Sequence, residues 1–310
     1  VSDLPILPRA VSTRTVRRWA WATLVANIVI ILTGGLVRLT GSGLGCPTWP
    51  RCTSASFVPH RELGLHGLIE FGNRLLTYVL IAVVLATVVA VWRWGSTNRS
   101  ARALVVLIAL GVPFQGVVGG ITVLTHLNPW LVALHLVLSM VLVALSVRLL
   151  VLVHGDPRTA VAGWVRAVVV GMLVLVAVVV YLGTVVTGSG PHAGDENAPR
   201  NGLDPLLWSH VHAAAVYALV ALTVVVTIAV RRSPLVRPAG LVLAVELAQG
   251  AVGFAQYFTG LPVPLVAVHL VGAAALVASA TWLFLVARPA RVAGSPAARR
   301  AEPAEAPAQR

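Results

Sequence analysis

Long apolar runs separated by short polar stretches organise this chain. Eight of them approach the roughly 20 residues that an α-helix needs to cross a bilayer. They are Trp19–Val37, Leu68–Trp92, Leu104–Leu124, Trp130–Val153, Trp164–Val186, Leu206–Val230, Ala239–Phe258 and Val263–Val286. The runs are rich in Val, Leu and Ala and lack the period-two polar alternation of barrel strands. The pattern predicts an all-α integral membrane protein with eight transmembrane helices. A polar arm, 1–18, precedes the first run; it holds no short apolar stretch followed by a small-residue cleavage site, so no cleavable signal peptide is expected.

Composition agrees with this pattern: 58% of residues are hydrophobic and 11% charged, with a mean hydropathy of +0.89. Soluble domains of this size do not look like that. A pI near 11.6 would point to nucleic acid in a soluble protein. Here the 23 basic residues, all arginine, read as topology signals facing anionic lipid, and no nucleic acid is expected. One side of the predicted bundle collects Arg9, Arg14, Arg17, Arg18, Arg93, Arg99, Arg102, Arg148, Arg158, Arg166, Arg231, Arg232, Arg237 and every arginine from Arg288 onward. Only Arg38, Arg51, Arg61, Arg74 and Arg200 fall on the other. The positive-inside rule then places both termini in the cytoplasm of a bacterial plasma membrane. The Ala/Pro/Arg/Glu-rich tail 288–310 reads as disordered.

The two cysteines, Cys46 and Cys52, share the first loop on the arginine-poor side, in CPTWPRC. An even pair in an oxidising compartment reads as a disulfide. The segment is too short and Pro-rich for a zinc site.

The chain repeats itself. Gln115-Gly116 precedes His135 as Gln249-Gly250 precedes His269; Thr40-Gly41-Ser42-Gly43 matches Thr187-Gly188-Ser189-Gly190; Asn73 and Tyr78 match His212 and Tyr217. Four spans per half give both halves one orientation, so they should form tandem four-helix bundles, 19–153 and 164–287, related by a pseudo-twofold along the membrane normal. Residues 154–163 would link them in the cytoplasm.

Of nine histidines, five (His66, His135, His210, His212 and His269) fall at the arginine-poor ends of even-numbered spans. Ionisable groups at membrane depth default to a functional reading. Imidazoles on facing helices, without acidic or thiolate neighbours, suit heme iron better than zinc. His212 and His269 form the pair in the second half; His210 points to another helix face. In the first half His135 faces Asn73, a poor iron ligand, at the repeat position of His212. His66, seven residues earlier on nearly the same face and about 10 Å further out, is the alternative axial ligand; a five-coordinate heme with Asn73 holding a distal water is the other. Between them Glu70 is either half of an i,i+4 pair with Arg74 or a proton-transfer group at a cofactor site. Gln115 and Gln249 should hydrogen-bond between helices. Glu246, whose repeat mate is Val112, is flagged as a proton-path residue.

GGLVRLTGSGLGCPTWPRC, then IEFGNR, then the paired Gln-Gly…His elements resemble the heme A synthase family of bacteria and mitochondria over Val16–Arg288. The resemblance implies oxidation of the C8 methyl of heme O to a formyl group, yielding heme A for cytochrome oxidase. It implies a heme b held by His212 and His269 in the C-terminal half, and the substrate heme O held by His135 in the N-terminal half. It also matches Glu70 to the acidic residue of a Glu-x-x-His motif, and Cys46/Cys52 to an outer-loop pair. Here Glu70-Phe-Gly-Asn73 lacks that motif's histidine, and the second half lacks cysteines. Arg38 and Arg74 could pair with heme propionates. The implied partners are a heme O-producing farnesyltransferase, cytochrome oxidase assembly factors and membrane lipid, with room for a homo-oligomer.

Two other functions use the same features. A di-heme b-type, quinol-oxidising electron-transfer protein would need the histidines but not Glu70. A duplicated-half transporter would place polar residues near the midplane, whereas here they cluster at one boundary.

Overall fold

The computed structural model describes residues 10–95, 98–156 and 158–289. The first nine residues and the tail from 290, with Arg9, Arg291, Arg299, Arg300 and Arg310, lie outside them. Among the described residues eight helices are long and apolar enough to cross a membrane. They are α1 (Thr13–Leu39), α2 (Gly64–Trp92), α3 (Arg99–Leu124), α4 (Pro129–His154), α5 (Gly163–Ser189), α6 (Pro205–Ala229), α7 (Val236–Phe258) and α8 (Val263–Val286).

Most helices outrun the apolar segments that announce them. Four of them are closed at the start by side-chain caps. Ser12, Asn98, Asn128 and Asp204 each accept a backbone N–H from the first turn of α1, α3, α4 and α6, satisfying donors a helix start leaves unpaired. Pro129 and Pro205 open their helices where a missing N–H costs nothing. Gly155, at φ 67°, ends α4 in the left-handed conformation glycine tolerates best.

Each half closes a ring of neighbours. In the first, α1 packs on α2 and α4, and α3 on the same two; in the second, α5 packs on α6 and α8, and α7 on the same two. The halves meet where α8 lies against α1 and α4, and α4 against α5. Gly35 of α1 lets Leu270 of α8 approach so closely that a side chain there would collide with it, the small-residue contact expected between membrane helices. Ile108, Leu149, Met172, Leu219 and Leu283 are among the fully buried core residues.

The sequence pattern misses a small feature at the arginine-rich end. Three-residue strands β1 (Thr159–Val161) and β2 (Ala287–Pro289) pair in parallel, so part of the predicted linker and the first residues of the predicted tail are ordered together. Arg166 ties this corner down by donating to the carbonyls of Phe284 and Ala287. His154, expected in a solvated loop, is instead the last residue of α4, with Nδ1 on the Leu150 carbonyl and its ring edge-on to Trp21.

At the opposite end the loops interlock. Arg38 donates from Nε to the His192 carbonyl at 2.6 Å and from Nη2 to the Thr187 carbonyl at 3.0 Å. Gly43 N–H donates to the Gly194 carbonyl. Leu127, Ala193 and Ala198 form a satellite apolar cluster. These contacts join the first and second halves through their loops.

Candidate functional site

The repeated Gln-Gly…His element has a mechanical explanation. His135 and His269 are each the seventh residue of their helix, about 9 Å in from the loop end. Gln115 of α3 donates its amide to the His135 backbone carbonyl at 3.1 Å and to Ser139 Oγ at 2.9 Å. Gln249 of α7 donates to the His269 carbonyl at 2.8 Å. Four residues after each glutamine stands a glycine beneath the imidazole. A Cβ on Gly119 would meet His135 Cε1 at 3.3 Å, and one on Gly253 would meet His269 Cε1 at 3.7 Å. The glutamine fixes the height of the histidine, and the glycine gives its ring room.

His212 on α6 follows the same rule with a different neighbour: a Cβ on Gly183 of α5 would stand 3.3 Å from its Cε1. His212 on α6 and His269 on α8 stand on opposite members of the second ring, both packed against α5 and α7. Among the described residues, His135, His212 and His269 each bury an Nδ1 that makes no well-formed hydrogen bond. Leaving buried polar atoms unpaired is costly, and three equivalent cases at one level call for a common cause.

Gly183→Ala is therefore expected to displace His212 by a few tenths of an ångström, whereas Gly253→Ala makes only ordinary contact. The spectrum and midpoint potential of a heme bound in this half should move in the first variant and stay in the second.

The first half departs from this arrangement at Asn73. Its Oδ1 accepts the Thr33 hydroxyl of α1 at 2.8 Å, so the amide is held by its neighbour helix. His66, in the first turn of α2, is exposed, with Nδ1 2.9 Å from Ser42 Oγ. That bond orients the ring and leaves Nε2 free, the usual condition of a metal-binding imidazole.

Glu70 is buried, 5% exposed, and both its oxygens are engaged. Oε2 accepts the Cys46 N–H at 2.6 Å, while Oε1 accepts from Arg74 Nε at 3.1 Å and from its Nη2. Arg74 also donates to the carbonyls of Cys46, Thr48 and Arg51. The i,i+4 pair thus fastens the segment that carries the Cys46–Cys52 disulfide; both cysteines are fully buried. Arg38 and Arg74 both stand at this rim, and loop carbonyls occupy much of their donor capacity, because irregular backbone near a membrane must find donors. Among the described residues no group of three His, Cys, Asp or Glu side chains could hold a metal ion.

The imidazoles fit heme better than a bare metal. The donor sets hold no more than two histidines, the rings lie over glycine, and the orphaned Nδ1 atoms belong to side chains whose Nε2 makes no hydrogen bond among the described residues. The sequence singles out His135, His212 and His269, while the role of Gly119, Gly253 and Gly183 as floors beneath their rings comes from the structure. The recurring spacing of four from glutamine to glycine was the signal available.

Comparison with known proteins agrees. The profile of the cytochrome oxidase assembly protein family (COX15-CtaA) matches residues 17–66 and 60–281. The heme A synthase of Geobacillus kaustophilus is 26% identical over 316 residues, spanning 95% of this chain and 98% of that protein. That of Listeria monocytogenes is 27% identical over 175 residues, 54% of this chain and 57% of the relative. That of Halalkalibacterium halodurans is 28% identical over 146 residues, 47% and 48% respectively.

Proposed function

The chain belongs to the cytochrome oxidase assembly protein family, and we propose that it is a heme A synthase, oxidising the C8 methyl of heme O to a formyl group. The observation that carries this reading is the set of three imidazoles that stand over glycine and whose Nε2 makes no hydrogen bond among the described residues. His212 and His269 would hold a resident heme b in the second half. His135 would hold heme O, the substrate, in the first. We read the two rings of helices, 19–153 and 164–287, as tandem bundles related by a pseudo-twofold, with both termini in the cytoplasm of the bacterial plasma membrane.

A bound heme b supplies one-electron transfer, which side chains cannot. The chain supplies the rest. Gln115 and Gln249 set the height of the ligands. Arg38 and Arg74 stand at the rim, and only the donors that their loop contacts leave over would meet heme propionates. Glu70 is the buried carboxylate at the same rim, and Ser42 orients His66. Heme O would come from a heme O-producing farnesyltransferase, and the product would pass to assembly factors of cytochrome oxidase. Helix faces left to lipid, such as that of Phe254 and Phe258, also leave room for a homo-oligomer.

Coexpression with a farnesyltransferase that makes heme O, followed by pigment extraction, tests the reading. Heme A is expected in the extract. Heme b alone, in both halves, would replace synthesis by electron transfer.

His66, rather than Asn73, would help His135 hold the first heme. His66→Ala is expected to change the spin state of that heme and lower heme A yield, while Asn73→Ala changes spin state little, because Asn73 is already spent on Thr33. An unaltered spectrum in His66→Ala would favour open coordination.

Orientation has its own test. An impermeant thiol reagent applied to intact cells should label Cys46 and Cys52 only after reduction. Labelling only in inverted vesicles would reverse the topology.

A further inference from the structure

The disulfide segment bridges two helices of the first half. Gly45 lies so close to the His66 carbonyl and Gly67 N–H of α2 that any side chain there would collide with backbone. Arg74 and Glu70 then hold Cys46, Thr48 and Arg51 from the same helix. Beyond that anchor the chain reaches α3, where the indole of Trp49 covers Gly120: a Cβ at Gly120 would overlap the ring. Gly120 adjoins Gly119, the glycine beneath His135. No equivalent is built in the second half, where the loop after α5 is held by Arg38 and by the His192–Leu261 contact instead.

We propose that Trp49 is a positioning residue of the substrate site: seated on Gly120, it closes the loop-side rim of the first-half heme pocket against water and small external ligands. This rests on the assignment of a heme to His135. An indole presents a large apolar face with a polar edge, which suits a plug at a membrane boundary. Trp49 is 37% exposed, so one side of the ring meets the exterior while the other lies on α3. Oxidation of a methyl group gains from such closure, since stray water and ligands compete for the reacting heme.

The test uses the purified, heme-loaded protein and cyanide as the external ligand. The second-order rate constant for binding to the ferric first-half heme at low cyanide contains the entry step, whichever ligand cyanide displaces. Trp49→Ala is expected to raise it about tenfold, the effect of lowering a barrier by about 1.4 kcal/mol. Gly120→Ala, which unseats the ring, should raise it similarly, yet add nothing in the Trp49→Ala background. Trp49→Phe, which keeps an aromatic ring on Gly120, should stay near the parent, and the spectrum of the second-half heme should be unchanged in all four proteins. Equal rates in the parent and Trp49→Ala, or additive effects of the two substitutions, would overturn the proposal while leaving heme binding intact. Absence of any heme that depends on His135 would instead remove the reading beneath it.

Discussion

Alanine at His212 or at His269 is expected to abolish the low-spin b-type spectrum of the purified protein. The two imidazoles come from α6 and α8, at one end of the same ring of helices. Among the described residues, each buries an Nδ1 that makes no well-formed hydrogen bond. On the proposed ligation, removing either would leave iron with one protein ligand, so the low-spin state should be lost rather than weakened. The change should not unfold the chain. Gln249 donates to the backbone carbonyl of residue 269, not to its side chain, so the α7–α8 contact survives truncation. His210→Ala is the control: that residue is exposed, two positions from His212 on another face. A low-spin spectrum that persists in both His212→Ala and His269→Ala would move heme b out of this half.

The helices were legible because their signal is local and repeated. An apolar run near bilayer length needs no knowledge of its neighbours. The Gln-Gly…His spacing occurs twice, so it stood out against a background of Val, Leu and Ala. The reason for the spacing was not legible. That Gln115 meets the carbonyl of His135, and that Gly119 lies under its ring, depends on how α3 and α4 slide against each other, which no periodicity encodes. Arg38 and Arg74 show the limit more sharply. As arginines at a boundary they invited pairing with propionates. The structure engages them with loop carbonyls whose need for donors appears only once the loops fold back. The β1–β2 pair escaped because three-residue strands carry no usable alternation. Asn73 was recognised as the odd member of the repeat, but its bond to Thr33, on the helix before it, was out of reach.

Glu70→Gln is expected to leave the chain in the membrane and to stop nearly all heme A formation. The carboxylate accepts the Cys46 N–H on one oxygen and the Arg74 guanidinium on the other. An amide can accept only through its single oxygen, so its NH2 must confront one of the two donors. Breaking a buried ion pair costs about 3–5 kcal/mol; the cost here is smaller, because the Arg74 side chain is 18% exposed. That is enough to free a loop and too little to unfold eight helices. Two explanations of the lost activity then separate. If Glu70 acts by holding the disulfide segment, Arg74→Ala should lose heme A to the same extent, and the double variant should be no worse than either. Both single variants should also expose the segment to protease and speed cyanide entry, since Trp49 rides on it. If Glu70 exchanges protons with the reaction, Arg74→Ala should retain much of the activity that Glu70→Gln lacks. Two bonded oxygens leave the carboxylate little freedom to exchange protons, so the matched, non-additive outcome is the one expected. Heme A at the parent level in Glu70→Gln would remove this residue from the reaction altogether and leave it a loop anchor without consequence for turnover.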